Sequence, residues 1–497
     1  MLRTIRIITA VVLFILLTTL FLDFTGTLHL WFGWFAKIQF IPAILSVNVI
    51  GIVGLGLLTL LFGRIYCSVI CPLGILQDGI SNIAGRRKGK KNRFRYLPAK
   101  SWLRYGVLGL FILALILGIS AVVSILDPYA AFGRIASNFF TPVYRLGNNL
   151  LAWFAERADS YAFYSIEVWI KGWVTFGTAA ITLIIVGILA WRNGRTYCNT
   201  ICPVGTILGF LSKFSIFKLI FDTEKCTKCG VCERNCKASC IDVKAMNIDH
   251  SRCVTCFNCI NKCKFGAMSY APVKNRKEKS KSNNSEQGDF TRRNVLSLLG
   301  TMAITTVVKA QQLHVDGGLA EIEDKKMPVR KTPVVPPGAI GVQNMKKHCT
   351  ACQLCVSACP NNVLRPSNKL ATFMQPEMSF ERGYCRPECV ECSQVCPSAA
   401  IESVTDADKS AISIGNAVWI KDNCVVNRDE IQCNNCERHC PTGAITLVVR
   451  DTDYGNSLKI PAIDKELCIG CGACEYQCPA RPFSAIYVEG NVRHHSI

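Results

Sequence analysis

Charged residues are scarce in this chain: Asp, Glu, Lys and Arg make up 18% of its 497 residues, whereas 50% are hydrophobic. An ordinary soluble domain carries roughly 25% charged residues, and a disordered segment is poor in apolar ones. The mean hydropathy is +0.26. The composition therefore excludes a disordered protein and an ordinary soluble one, and it predicts that part of the chain lies in lipid.

Acidic residues are fewer than basic ones: the chain has 35 acidic and 56 basic residues, and its formal net charge is +21. Such an excess serves either to bind nucleic acid or to hold loops against an anionic membrane surface. The positions of the basic residues along the chain decide between these two classes.

A dinucleotide fingerprint is also missing, since no Gly-x-Gly-x-x-Gly motif follows a predicted strand. The glycines within 51–56 lie inside an apolar run, where they allow helices to pack closely. Oxidation of a nicotinamide by this chain alone is therefore not expected.

Four apolar runs occupy the first 191 residues, at 5–22, 38–62, 105–126 and 172–191, and Arg6 is the one charged residue within them. At about 1.5 Å per residue, runs of this length suffice to cross roughly 30 Å of hydrocarbon. They predict a membrane domain of four spans over residues 1–210.

The loops between these runs differ in charge. The loop between the second and third runs holds ten basic residues and one acidic residue, whereas basic and acidic residues balance in 23–37 and in 126–172. Positively charged loops stay in the cytoplasm. The charges therefore predict that the N-terminus and the basic loop are cytoplasmic, and nucleic acid is not an expected partner.

A twelve-residue repeat begins where the second and fourth runs end, at 63–74 and 194–205, and eight positions are identical in the two copies. Each copy holds a Cys-x-x-x-Cys-Pro motif at the inner membrane surface. Two helical hairpins packed about a pseudo-twofold axis would bring the four thiols together. Three interpretations remain open: an iron–sulfur or iron centre, a pair of redox-active dithiols, or four small packed residues. The cysteines are Cys67, Cys71, Cys198 and Cys202.

Two cysteine motifs with two-two-three spacing follow within residues 211–273. Such a loop presents three thiolates to one iron–sulfur cube, and in two-cluster ferredoxins the fourth ligand is the last cysteine of the other motif. Zinc sites usually take separated pairs of ligands instead. The spacing therefore predicts a two-cluster ferredoxin domain and leaves Cys240 unassigned. One predicted ligand set is Cys226, Cys229, Cys232 and Cys263, and the other is Cys253, Cys256, Cys259 and Cys236.

Three segments without a globular pattern follow this domain. Residues 274–290 are polar and predict a linker, and residues 311–338 predict a second linker that is rich in proline. Between them, residues 291–310 hold Arg292 and Arg293 before a short uncharged run, as in a twin-arginine signal or anchor. We therefore expect a fifth, short membrane segment here, with the chain from about residue 311 onward outside the cytoplasm.

Residues 339–497 contain sixteen cysteines in four groups, and a proline follows each group. The first and last groups have the ferredoxin spacing, and the middle two lengthen only the first interval, so four more 4Fe-4S clusters are predicted. Groups adjacent in sequence could share ligands, or the first group could pair with the fourth. The predicted ligands are Cys349, Cys352, Cys355 and Cys359; Cys385, Cys389, Cys392 and Cys396; Cys424, Cys433, Cys436 and Cys440; and Cys468, Cys471, Cys474 and Cys478.

These motifs resemble two protein families that together cover nearly the whole chain. Residues 1 to about 270, with the apolar runs, the repeated motif and the two-cluster ferredoxin, look like the NapH family, a membrane component of a periplasmic nitrate reductase quinol dehydrogenase. Residues 290–497, with the paired arginines and four cluster motifs, resemble its exported partner, the NapG or MauM family. The resemblance implies a membrane α-helical bundle with two α+β ferredoxin-like domains, oxidation of a membrane quinol, and electron transfer to an extracytoplasmic reductase or cytochrome.

Three functions remain open: a quinol dehydrogenase component, a non-catalytic electron wire, or a copper-reducing assembly factor for a respiratory enzyme. Use of the quinone pool requires a pocket with proton acceptors, and the candidates are weak: His29, Trp31 and Trp34 near the outer face, and Asp127. Each of these is more often an interfacial anchor, so no catalytic residue is assigned. We expect a multi-pass protein in contact with the lipid of a bacterial cytoplasmic membrane, whose first ferredoxin domain is cytoplasmic.

Overall fold

The computed structural model describes residues 2–23, 26–87, 94–160, 162–166, 168–272, 323–450 and 458–497. The predicted polar linker at 274–290 and the twin-arginine segment at 291–310 lie outside the described residues, as does the beginning of the proline-rich linker. The fifth membrane segment therefore stays a prediction.

Helices of very different lengths form the described chain up to residue 211. Apolar sequence favours helix in lipid, because each backbone N–H and C=O then bonds within its own segment. The helices are α1 (Leu2–Leu22), α2 (Thr27–Phe32), α3 (Trp34–Lys37), α4 (Phe40–Leu45), α5 (Val49–Phe62), α6 (Tyr66–Val69), α7 (Pro72–Arg87), α8 (Ser101–Leu117), α9 (Ser120–Leu126), α10 (Pro128–Ile135), α11 (Thr141–Arg157), α12 (Trp173–Asn193), α13 (Thr196–Thr200) and α14 (Pro203–Leu211).

Two of these helices, α1 and α12, are each 21 residues long and apolar enough to cross a membrane. Only 28% and 22% of their most apolar stretches are buried inside the protein. A helix in the core of a soluble protein would be covered by other elements. The exposed apolar surface of both helices therefore fits association with lipid.

The prediction of four uninterrupted spans is not supported, because the second and third apolar runs are broken. The second run contains α4 and α5, and Asn48 caps α5 by accepting a hydrogen bond from Gly51 N at 3.0 Å. The third run contains α8 and α9, and α8 ends at Gly118, whose φ is 70°. Since α5 has 14 residues and α8 has 17, each is shorter than a typical span of about 20 residues.

The first ferredoxin-like unit follows α14 and is enclosed by one antiparallel strand pair. Its first strand pairs with its last along their whole length. Each of its two short helices carries the third cysteine of a motif, so the strand pair holds the two motifs side by side. The elements are β1 (Phe217–Phe221), α15 (Val231–Arg234), β2 (Ile241–Asp242), β3 (Asn247–Ile248), α16 (Asn258–Lys262) and β4 (Met268–Pro272).

The second ferredoxin-like unit repeats this plan with more elements. Its elements are α17 (Val342–His348), α18 (Leu354–Ala358), β5 (Leu364–Pro366), β6 (Pro376–Met378), α19 (Glu391–Val395), α20 (Asp406–Ser410), β7 (Ile412–Trp419), α21 (Val425–Arg428), α22 (Asn435–Arg438), β8 (Ile445–Val449), β9 (Lys459–Ile463), α23 (Ala473–Gln477) and β10 (Ile486–Ser496). Antiparallel pairs join β5 to β6, β8 to β9 and β7 to β10. The β7–β10 pair encloses the third and fourth cysteine groups, as the β1–β4 pair encloses the first two motifs.

The two units lie at opposite ends of α1. Near the start of α1, Arg3 Nε donates a hydrogen bond to Asn258 Oδ1 of the first unit at 3.0 Å. Near its end, a β-carbon built on Gly133 would lie 2.9 Å from the Phe21 ring and 2.4 Å from the backbone oxygen of Cys352 in the second unit, so Gly133 lies close to both. A helix of 21 residues is about 30 Å long.

The two units also lie at opposite ends of α12, but this helix begins beside the second unit and ends beside the first. Near its start, Thr178 Oγ1 lies 3.2 Å from Met374 Sδ of the second unit. Just beyond its end, Arg195 N donates to Lys237 O of the first unit at 2.8 Å. The first unit therefore lies at the end with the basic loop, and the second unit lies at the end with the charge-balanced loops.

A short helix, α10, is enclosed on all sides, because each of its eight residues is buried. Asp127 caps it by accepting hydrogen bonds from Tyr129 N at 3.0 Å and Ala130 N at 3.3 Å. These bonds satisfy backbone N–H groups that would otherwise be unpaired in an apolar interior. The cap explains how a helix of only two turns lies inside the bundle.

Candidate iron–sulfur centres

The structure brings the eight motif cysteines of the first unit into two sets of four. One set lines a cavity together with Phe221 and Met268, and it consists of Cys226, Cys229, Cys232 and Cys263. In the other set, burial raises the pKa of Cys259, and its neighbours Cys256, Cys253 and Cys236 raise it further. These are the sets that the spacing predicts, and their role as cluster ligands stays a prediction. We call them centre 1 and centre 2.

The sixteen cysteines of the second unit fall into four further sets, which we call centres 3 to 6. Burial raises the pKa of Cys349, Cys352 and Cys355, and the nearby Cys396 raises it further. Burial likewise raises the pKa of Cys468 and Cys471, and Cys440 raises it further. The cysteines of centres 4 and 6 line two cavities. The first cysteine group thus pairs with the second, and the third with the fourth. Centre 3 is Cys349, Cys352, Cys355 and Cys396; centre 4 is Cys385, Cys389, Cys392 and Cys359; centre 5 is Cys468, Cys471, Cys474 and Cys440; centre 6 is Cys424, Cys433, Cys436 and Cys478.

Centres 4 and 5 adjoin each other across the two halves of the second unit. Cys385 N donates a hydrogen bond to Cys471 O at 2.9 Å, and these cysteines belong to centre 4 and centre 5. Because centre 3 shares a motif pair with centre 4, and centre 5 with centre 6, the four sets form a row in numerical order.

The repeated motif brings its own four cysteines together. Cys67, Cys71, Cys198 and Cys202 are each at most 5% exposed. Burial raises the pKa of Cys71 and of Cys202, and in both cases the thiols of Cys198 and Cys67 raise it further. We call this set the four-thiol site.

Reciprocal arginines join the two copies of the repeat. Arg64 donates from Nη1 to Asn199 Oδ1 at 2.8 Å and from Nη2 to Cys198 O at 3.2 Å. In the opposite direction, Arg195 Nη1 donates to Cys67 O. Both arginines are completely buried. This exchange explains why Gly-Arg precedes both motifs, and it places two positive charges beside the thiols.

Gly74 and Gly205 occupy equivalent positions in the repeat, where the backbone approaches a cysteine. A β-carbon on Gly74 would lie 2.4 Å from Cys67 O, and one on Gly205 would lie 2.2 Å from Cys198 O. Because backbone cannot move away easily, we expect Gly74→Ala to destabilise the protein by about 1–3 kcal/mol and to lower its iron content. Thermal unfolding and iron analysis measure both effects. Gly79→Ala in α7 is the control, since a β-carbon there meets nothing within 4 Å; equal losses in both variants would contradict this account.

A carboxylate on one side breaks the symmetry of the repeat. Asp78 accepts hydrogen bonds from Arg6 Nη2 and from Arg195 Nε, the latter at 2.8 Å, and Lys237 Nζ lies 3.5 Å away. The equivalent position in the second copy is Gly209. Although burial opposes ionisation, Arg195, Lys237 and Arg6 hold the pKa of Asp78 well below its usual range. The carboxylate thus ties α1, the repeat and the first unit together.

The four-thiol site fits a positively charged metal centre. Thiols this deeply buried stay protonated unless nearby positive charge favours the thiolate. Arg64 and Arg195 supply part of that charge, and an iron centre would supply more. In the described ranges, no three Cys, His, Asp or Glu side chains converge as the ligands of one metal ion would. The ligands of a cube bind four different irons.

The short helix α10 lies between the four-thiol site and centre 3. Its cap Asp127 is within electrostatic reach of Tyr66 and Tyr197, each of which precedes a cysteine of the four-thiol site. On the other side, Tyr129 is within reach of Cys352 and Cys396 of centre 3. The interior of the bundle therefore connects the two sites through buried side chains. The sequence signal for this connection is Asp127-Pro128 between two apolar segments, and Asp127 is also one of the weak candidates for quinol binding.

The remaining predicted residues have other places in the structure. Cys240 Sγ lies 3.6 Å from Cys236 Sγ, so the unassigned cysteine adjoins centre 2. His29 Nδ1 lies 3.2 Å from Asp23 Oδ2. Trp31 and Trp34 are 77% and 53% exposed, as interfacial anchors would be. His29, Trp31 and Trp34 therefore lie on other elements than α10, the helix that Asp127 caps.

The folds and cysteine sets define an iron–sulfur electron-transfer protein of the ferredoxin type. The 4Fe-4S binding domain family matches residues 46–91 and 174–221, and the 4Fe-4S dicluster domain family matches residues 431–481. In the first two ranges the cysteines are those of the four-thiol site: Cys67, Cys71, Cys198 and Cys202.

More particularly, the chain belongs to the family of ferredoxin-type proteins that includes MauM. It is 32% identical to the methylamine utilization ferredoxin-type protein MauM of Paracoccus denitrificans over 171 residues, which are 32% of this chain and 73% of MauM. It is 35% identical to the ferredoxin-type protein NapG of Escherichia coli over 162 residues, 29% of this chain and 64% of NapG. The predicted likeness to MauM and NapG is confirmed, and the fusion to a NapH-type membrane component stays a prediction.

A third relative is the uncharacterized protein MJ0749 of Methanocaldococcus jannaschii. The two chains are 37% identical over 102 residues, 20% of this chain. This chain spans 40% of the length of that relative.

Proposed function

We propose that this protein oxidises a membrane quinol and carries the electrons across the membrane, through six 4Fe-4S cubes and the four-thiol site, to an extracytoplasmic reductase or cytochrome. The observation that supports the proposal most strongly is the placement of the two ferredoxin-like units at opposite ends of α1 and α12, with the four-thiol site and α10 between them. A relay that only served one side of the membrane would not need this arrangement.

The contacts between neighbouring centres suggest an order for the relay. Lys237 follows Cys236 of centre 2, and its backbone oxygen accepts from Arg195 N, three residues before Cys198 of the four-thiol site. From there, α10 leads to centre 3, and the row of centres 3 to 6 leads away from the membrane. Electrons can pass along fixed centres of this kind without a mobile carrier.

We infer that the broken helices α5 and α8 also lie in the membrane. The exposed side chains on these helices are large and apolar, including Ile50 at 88% exposed and Leu57 at 54% on α5, and Leu110 at 53% and Leu113 at 52% on α8. Exposed apolar surface of this extent is unfavourable in water. With their partners α4 and α9, they would complete four crossings.

Reduction by a quinol tests the proposal directly. We expect a short-chain menaquinol, added to the purified full-length protein under argon, to reduce the cubes, which electron paramagnetic resonance detects as new signals of reduced 4Fe-4S clusters. Dithionite provides the control for complete reduction. If dithionite reduces the cubes and menaquinol does not, the protein is a non-catalytic wire and the enzymatic part of the proposal is wrong.

The position of the second unit is a separate test of the transmembrane relay. In intact spheroplasts, added protease should digest the second unit and leave the first unit whole. A variant with Arg292→Lys and Arg293→Lys should keep the second unit protected, because the twin-arginine signal is then lost. Protection of the second unit in the unmodified protein would place all six cubes on one side and contradict the relay.

A further inference from the structure

A cavity of about 590 Å³ lies between α1, α7 and the first ferredoxin-like unit. Apolar side chains form one wall, with Ile7, Val11 and Phe14 from α1 and Ile80 and Ile83 from α7. Val11 is 48% and Ile83 is 55% exposed, so this wall reaches the lipid-facing surface. The volume lies in the range of small-molecule sites, about 300–1,000 Å³.

The opposite end of the cavity is polar and basic. Arg6 lines it, is 7% exposed, and within the described chain has no hydrogen-bond partner at Nε, although its Nη2 bonds Asp78 and Ser68 O. Lys237 and Lys262 line the same end. A buried donor without a partner has a high energetic cost, so this end is suited to a ligand that carries an acceptor oxygen.

The polar end adjoins two cluster sites along the chain. Lys237 follows Cys236 of centre 2, and Lys262 precedes Cys263 of centre 1. A ligand at this end would therefore lie next to candidate electron acceptors. The cavity is thus apolar toward the lipid, basic toward the cytoplasmic end, and adjacent to centres that accept single electrons.

We propose that this cavity binds the headgroup of a membrane quinol, with its isoprenoid tail leaving between α1 and α7 into the lipid. The inference rests on the proposed function, and it places the site of oxidation at the cytoplasmic end of the bundle. Arg6 Nε and Lys237 Nζ are the donors that hold the quinol oxygen and stabilise the negative charge it acquires on losing a proton.

The reaction at this site balances with the cubes as oxidants. One quinol loses two protons and two electrons and becomes a quinone. The electrons pass one at a time to oxidised cubes, first to centre 2 and from there along the relay. Asp78 is already engaged by Arg6, Arg195 and Lys237, so it does not take the protons. The protons leave to water on the cytoplasmic side, where Lys262 is exposed.

Filling the cavity tests this site. Gly79 lines the cavity, and a β-carbon built on it meets nothing within 4 Å. We expect Gly79→Phe to weaken binding of 2-heptyl-4-hydroxyquinoline N-oxide, a fluorescent quinol-site probe that is quenched on binding, by at least about tenfold. The matched control is Gly109→Phe on α8, where an added β-carbon also meets nothing within 4 Å and no cavity residue lies.

The possible outcomes distinguish a wrong location of the quinol site from a wrong proposed function. Probe binding and menaquinol-driven cube reduction at unmodified levels in Gly79→Phe would place the quinol elsewhere, while the proposed function stands. If neither the unmodified protein nor Gly109→Phe binds the probe and menaquinol reduces no cube, both proposals are wrong. If Gly79→Phe loses a co-purified anionic phospholipid in native mass spectrometry but keeps the probe, the cavity is a lipid site and the inference is overturned.

Discussion

Changing both Cys71 and Cys202 to serine is expected to interrupt electron transfer between the two ferredoxin-like units while all six cubes remain. The two cysteines come from different copies of the repeat, so the change leaves one thiol from each copy and removes the four-ligand set. In sealed inverted vesicles, dithionite added outside should reduce centres 1 and 2 within the mixing time. Reduction of centres 3 to 6 in the lumen should slow by much more than about tenfold, a barrier increase above roughly 1.4 kcal/mol.

Freeze-quenched electron paramagnetic resonance and iron analysis measure this result. Thr200→Val is the matched control, because Thr200 lies between the cysteines of the second copy and its hydroxyl donates to the backbone oxygen of Thr196, at 2.7 Å. If lumenal reduction and iron content are the same in the double serine variant as in the control, the four thiols are packing residues and carry no electrons.

Cysteine spacing predicted most of the candidate centres, because the chemistry acts over short stretches of chain. One tight loop supplies three thiolates and a partner motif supplies the fourth, so two adjacent motifs allow few ligand sets. The sequence therefore predicted that centres 1 and 2 exchange their last cysteines, Cys236 and Cys263. For the last four groups, the spacing left two pairings open. The choice between them depends on β7 meeting β10 across more than sixty residues, and a spacing pattern contains no information about such a distant strand pair.

Hydropathy predicted the positions of the apolar helices better than their lengths. The runs at 38–62 and 105–126 contain no charge, yet a helix begins after Asn48 within the first run and another ends at Gly118 within the second. A hydropathy window averages over such residues, whereas a single cap or a single positive φ is enough to break a helix. Hydropathy also could not predict the complete burial of α10, because that burial depends on contacts from α1, α12 and the second unit.

Electrostatic partners were the least predictable feature. The sequence shows Asp78 as the lone acidic residue of a basic loop, which suggests an exposed side chain. In the structure it is 8% exposed and joined to cations from α1, from the second copy of the repeat and from the first ferredoxin-like unit. These residues are distant in sequence, so only the folded chain reveals that one carboxylate holds three elements together.

Loss of Arg195 should therefore be among the most damaging single changes. Arg195→Gln removes the guanidinium that pairs with Asp78 at 2.8 Å and that donates to Cys67 O, and the arginine is fully buried. Breaking a buried ion pair from one side costs about 3–5 kcal/mol, because the remaining charge is left uncompensated. Arg6 and Lys237 still face the carboxylate, so we expect the lower end of this range, with loss of iron from the four-thiol site.

The pH dependence provides a further check on this ion pair. The pKa of Asp78 is lowered in the folded protein, so its stabilising contribution is present above the unfolded pKa of about 4 and is lost only as pH falls through the lower folded value. The difference in apparent melting temperature between the unmodified protein and Arg195→Gln should then be the same at pH 6 and pH 8. Arg192→Gln, an exposed arginine near the end of α12, is the control and should melt like the unmodified protein. Equal melting temperatures for the two arginine variants would show that the buried pair does not stabilise the fold.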